Sequence, residues 1–82
     1  MAYYFENVKT EDTSGLFPTL KGAIAAAEGV AERDKTEYAV YAQTSGPTDL
    51  LIGTVFEYVD DKQGISLWVF DEDPAYKAGK RS

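Results

Sequence analysis

The sequence predicts an α+β domain in which a single amphipathic helix covers one face of a four-stranded, mostly antiparallel sheet, in the order β-α-β-β-β. Three observations carry that expectation. One stretch, TLKGAIAAAEGVAER at Thr19 to Arg33, repeats its apolar residues at helical spacing. Four further stretches are short, rich in aromatic and β-branched residues, and bounded by turn-forming residues. A single helix of this size is enough to shield one side of a sheet of four strands, and no more.

Ala2 to Val8 (AYYFENV) reads as the first strand, with Tyr3 and Phe5 on one side and Tyr4, Glu6 and Val8 on the other. Lys9 to Gly15 is polar and turn-forming, and delivers Leu16 and Phe17 to the start of the helix. In the helix, Leu20, Ala23, Ile24, Ala27, Val30 and Ala31 make the stripe to be buried, with Thr19 as N-cap and Pro18 just outside. The opposite stripe, Gly22, Ala25, Ala26 and Gly29, is smooth. Glycine inside a helix costs about 1 kcal/mol relative to alanine, so these two glycines invite either close approach of another backbone or simple tolerance on an exposed face.

Glu37 to Thr44 alternates with period two, placing Tyr38, Val40 and Ala42 on one side and Ala39, Tyr41 and Gln43 on the other. Ser45 to Asp49 is a turn. Leu50 to Val59 and Ile65 to Asp71 form the third and fourth strands, joined through Asp60 to Gly64. With Asp61 opening a type I turn and Gly64 in the left-handed position, Asp61 faces Ile65, Val59 faces Leu67, Tyr58 faces Trp68 and Phe56 faces Phe70. The first strand is expected parallel to the second through a right-handed crossover, beside either the second or the fourth.

Residues 1–74 then form one domain, and 75–82 a flexible basic tail with little apolar content. An alanine-rich helix approaches a sheet closely, so its expected seat is Val40, Ala42, Leu51, Gly53, Val55, Leu67 and Val69. Tyr41, Ile52, Phe56, Tyr58, Trp68 and Phe70 remain on the far side, a patch larger than a lone molecule usually leaves in water. Its expected cover is the chain's own loop Lys9 to Phe17 or tail around Tyr76, the helix itself with the other face left exposed, a second copy in a homodimer, or a protein partner. Tyr41, Phe56, Tyr58, Trp68 and Phe70 are the candidate protein-binding residues, since large rings at the centre of a patch dominate interface energies.

Composition narrows the chemistry. There is no histidine and no cysteine among the 82 residues, so the commonest general base, the thiolate nucleophile and the usual nitrogen and sulfur metal ligands are missing. No glycine-rich phosphate loop occurs, and the expectation is a protein that is not an enzyme and carries no cofactor. Asp49 is expected near Asp71, Glu72 and Asp73 across the third and fourth strands, without the ligand spacing of a calcium loop, so no metal site is assigned. All fourteen acidic residues lie between Glu6 and Asp73 with five basic ones, a net −9, while the last nine residues carry +3. That field disfavours nucleic-acid binding and favours either plain solubility or a basic protein partner.

No apolar run reaches the length of a membrane span, and Met1 to Val8 lacks the basic start and apolar stretch of a signal peptide, so the expectation is a soluble cytoplasmic protein. A short, acidic, cysteine-free chain with one helix on a sheet is similar in style to small accessory proteins of phages and bacteria, including inhibitors of larger host proteins. The functional expectation is a non-enzymatic interaction module using its aromatic sheet face. The alternatives are an acidic decoy that presents Glu28, Glu32, Asp34, Asp49, Asp60, Asp61 and Asp71 to Asp73 as surrogate phosphates, and a small enzyme, which would need a cleft that this pattern does not build.

Overall fold

The computed structural model describes residues 1–81. Its elements are β1 (Tyr3–Asn7), α1 (Leu20–Asp34), β2 (Tyr38–Ala42), β3 (Leu50–Asp60), β4 (Ile65–Glu72) and α2 (Pro74–Arg81). The strands form one antiparallel sheet in the order β1-β2-β3-β4, with α1 packed on one face.

Helix α1 begins as its sequence dictates. Thr19 is extended (φ −128°, ψ 149°), and its hydroxyl accepts the Gly22 amide at 3.1 Å, satisfying one of the amides that a first turn leaves unpaired. Ala23, Ala27 and Ala31 are fully buried, and Leu20, Ile24 and Val30 flank them against the core. Three alanines in a row let the helix backbone sit close to Phe5, Tyr38, Val40, Ala42, Ile52 and Val55 of the sheet. The helix ends at Lys35, whose left-handed backbone (φ 55°) turns its amide onto the Ala31 carbonyl. That is the position where glycine is the commonest residue.

The direction of β1 corrects the expected parallel crossover: it pairs antiparallel with β2, Tyr4 opposite Tyr41 and Phe5 opposite Val40. The cause lies in the loop after β1. Residues 12–17 run back along its outer side, where Tyr3 and Phe17 exchange two backbone hydrogen bonds (2.9 and 2.7 Å), and Ser14 donates to the Phe5 carbonyl at 2.8 Å. Having already returned to the start of β1, the chain sends α1 along the β1 direction and β2 back against it. Asn7 holds the bend: its Oδ1 accepts the Lys9 and Thr10 amides, and its Nδ2 donates to the Tyr38 hydroxyl, which donates to Asp34.

The β3–β4 hairpin is shifted by one residue from the expected register. Asp60 faces Ile65, Tyr58 faces Leu67, Glu57 faces Trp68, Phe56 faces Val69 and Val55 faces Phe70. Gly64 does take the left-handed conformation (φ 68°), but the turn opens on Asp60, whose Oδ1 accepts the Lys62 and Gln63 amides. Because side chains alternate sides, a slip of one moves a whole strand's set to the opposite face. Trp68 and Phe70 therefore pack against the helix-side core, and Leu67 and Val69 lie on the far side. A bulge between β2 and β3, where Val40 faces Gly53 but Tyr41 faces Leu51, turns Ile52 inward as well and puts Leu51 on the far side.

The stretch read from sequence as a tail forms most of helix α2. Asp73 accepts the Ala75 amide through its side chain at 3.1 Å, Pro74 occupies the first helical position, and Tyr76 packs against the core. Ser82 lies outside the described residues.

Candidate interaction surface

The side of the sheet away from α1 is built from cross-strand rows. Tyr4, Tyr41 and Leu51 form the first, and Glu6, Ala39, Thr54 and Asp71 the second. β2 stops pairing at Val55, so Phe56 onward pairs only with β4 and projects as a two-stranded arm. The rows Phe56–Val69, Tyr58–Leu67 and Asp60–Ile65 lie on that arm. Toward its tip the apolar side chains are about half in water, Tyr58 53% exposed, Leu67 49% and Ile65 41%, while Phe56 and Val69 nearer the body are more covered. The open face thus carries two apolar patches divided by a polar row, in place of one continuous aromatic field.

Of the five residues expected to bind protein, three sit on this face. Tyr41, Phe56 and Tyr58 are there; Trp68 and Phe70 are on the helix side, where they cover the core. Sequence reasoning missed Leu67, Ile65 and Val69 on the arm, and Tyr4 at the other end. Counting the hairpin from Asp60 rather than Asp61 brings the three aliphatic residues to the open face.

The tyrosine patch is held by side-chain contacts of its own. The rings of Tyr4 and Tyr41 stack with centroids 5.4 Å apart and planes 17° from parallel. The Tyr4 hydroxyl donates to Asp49 Oδ2, and Asp49 Oδ1 accepts the Thr44 amide at 3.2 Å. Burial and the adjacent Asp49 carboxylate push the Tyr4 hydroxyl up to about 12. The Tyr4 hydrogen bond, with that from Thr44, holds the Asp49 carboxyl below its ordinary range. Tyr41 is also raised, by burial and then by Glu6 beside it.

Asp49 does not join the expected cluster with Asp71, Glu72 and Asp73, because it is turned toward β1 and the Thr44 loop while Asp73 caps α2. Among the described residues, no group of three or more acidic side chains is arranged to hold a metal ion. No helix among them is long and apolar enough to cross a membrane. Known protein families, curated proteins and solved structures offer no match to this chain.

The outward stripe of α1 has a partial local explanation. A Cβ on Gly22 would stand 3.0 Å from the Thr19 hydroxyl oxygen, so glycine there leaves room for the N-cap, while Gly29 faces open space. Close approach by another backbone is not needed to account for Gly22.

Proposed function

We propose that the protein is a non-enzymatic binding module that engages another protein through the open face of its sheet, with the β3–β4 arm as the main contact. One observation carries this reading: on the side of the arm that faces away from α1, Tyr58, Leu67 and Ile65 are 53%, 49% and 41% exposed with no other element over them. An isolated two-stranded ribbon is at best marginally stable in water, and large exposed apolar groups on one gain by burial against a second surface. Phe56 and Tyr58 serve as anchors at the centre of the contact, Leu67 and Ile65 as its apolar margin, and Tyr41 with Tyr4 as a second patch. Trp68 and Phe70 act beneath the arm, holding it to the core.

The test uses the double variant Tyr58→Ser/Leu67→Ser, two exposed positions whose change should leave the fold intact. Thermal unfolding first checks that the variant remains folded. Affinity capture from a lysate of the source, with wild type and variant side by side, should enrich a protein with the wild type alone. Light scattering at low and high salt supplies the other arm. A monomer at all concentrations points to a foreign partner, and a dimer lost in the double variant assigns the face to a second copy. Equal capture by wild type and variant would remove the arm from the interface. Binding that collapses with salt and ignores the double substitution would favour the acidic decoy.

A further inference from the structure

The two margins of the sheet are treated differently by the chain. On the β1 side, residues 12–17 occupy the outer backbone groups through the bonds of Phe17 and Ser14. On the β4 side, residues 65–71 meet no other strand among the described residues, and no backbone bond from outside the hairpin reaches them. Of the devices that usually blunt an edge, β4 carries only the acidic pair at its end, Asp71 and Glu72. It is eight residues long, its sequence ISLWVFDE contains neither proline nor lysine, and it pairs with β3 without a bulge.

Charge decides what fits there. Asp60 and Asp61 stand at the hairpin end of β4, and Asp71, Glu72 and Asp73 at the other, with Lys62 the one cation in 60–73. A second copy paired antiparallel through β4 would set the aspartates at its hairpin end near the acidic run 71–73 of the first. Paired in parallel, it would set each acidic end on its own counterpart. Both arrangements place carboxylate against carboxylate, which disfavours self-pairing. A strand with basic ends meets the opposite situation.

We infer that the outer edge of β4 accepts an extended segment of another protein by strand addition, a segment with apolar residues at alternate positions and lysine or arginine at both ends. The backbone ladder supplies the pairing. The alternate apolar side chains lie beside Ile65, Leu67 and Val69 and extend the open face, and the basic ends meet Asp61 and Asp71, both exposed. This inference rests on the reading of the protein as a binding module and names the chemistry of its partner.

The probe is a synthetic nonapeptide, alternating valine and threonine over its five central residues with two lysines at each end. Amide hydrogen exchange on the full chain should show new protection at alternate residues within 65–71 when the peptide is added, and none along β1. The same peptide with glutamate in place of lysine should bind at least tenfold more weakly, as should the lysine peptide when offered to the Asp61→Lys/Asp71→Lys variant. A version with proline at its central residue should give no protection. Peptide-induced protection elsewhere, equal binding by the glutamate peptide, or protection of β4 that appears without peptide as protein concentration rises would overturn the inference. If the probe leaves 65–71 unprotected while lysate capture still depends on Tyr58 and Leu67, the edge inference falls and the module reading stands. If the probe protects the edge and capture does not depend on those residues, the edge holds and the open-face reading falls.

Discussion

The ring of Phe70 lies over Gly53: a Cβ at Gly53 would stand 2.6 Å from Phe70 Cζ and 2.3 Å from the Asp71 carbonyl oxygen. Glycine is required here for closeness rather than for a special backbone angle. Gly53→Ala should force β4 away from β3 or drive Phe70 off the core, at a cost of about 2 to 3 kcal/mol, in the range of other overpacked sites. Urea unfolding checks this, and a midpoint within error of wild type would show that the hairpin absorbs the methyl group.

Trp68 and Tyr58 should separate stability from binding. Trp68 packs against the core and Tyr58 is about half in water, although the sequence pattern puts both on one face. Trp68→Ala should lower the unfolding free energy by about 2 kcal/mol, less than a fully buried tryptophan because this one is only partly covered. Tyr58→Ser should change stability by less than about 0.5 kcal/mol, as exposed substitutions commonly do, and should impair capture. Denaturant titration of both variants, alongside the capture assay, reads the two effects separately.

The burial of Tyr4 and its hydrogen bond to Asp49 should together give stability two edges in pH. Tyr4 ionises at about 12 in the folded chain against 10.0 in a free tyrosine, so the folded state keeps its proton where the unfolded state has lost it. Its contribution is complete below pH 10 and is lost as pH rises toward 12. Asp49 is depressed, so its contribution is present above the ordinary carboxylate range and is lost as pH falls through the lowered value. Tyr4→Phe should reduce both slopes and lower stability near neutrality by about 1 kcal/mol. Urea midpoints measured across the pH range test this, and an unchanged alkaline slope in Tyr4→Phe would assign that loss to other groups.

Lys35 holds a left-handed backbone at the end of α1 without being glycine. Lys35→Gly removes the Cβ clash of that conformation and should raise the melting temperature, with a gain of about 0.5 to 1 kcal/mol after the added freedom of the unfolded chain is counted. A lower melting temperature would mean that the Lys35 side chain contributes more than its backbone costs.

The features legible in the sequence are local ones. The α1 cap at Thr19 and its alanine stripe involve neighbours three and four residues apart, and both are found where the pattern puts them. The hairpin register turns on two adjacent aspartates, Asp60 and Asp61, which have the same turn chemistry. Opening the turn on Asp61 instead of Asp60 exchanges Leu67 and Val69 for Trp68 and Phe70 on the open face. The direction of β1 is hidden because residues 12–17 are polar and carry no strand pattern, yet their backbone bonds decide the topology. Helix α2 does leave a signal in Asp73-Pro74, a cap followed by the residue best suited to a first helical position, but the scarcity of apolar residues beyond Pro74 masks the helix itself.

The returning loop beside β1 also bears on how far assembly can proceed. Fibre growth by lateral strand pairing needs two docking margins per subunit, one to join the stack and one to receive the next arrival. With the β1 margin already bonded to residues 12–17, which form no regular strand, only the β4 margin offers a regular ladder, and growth beyond one addition is disfavoured.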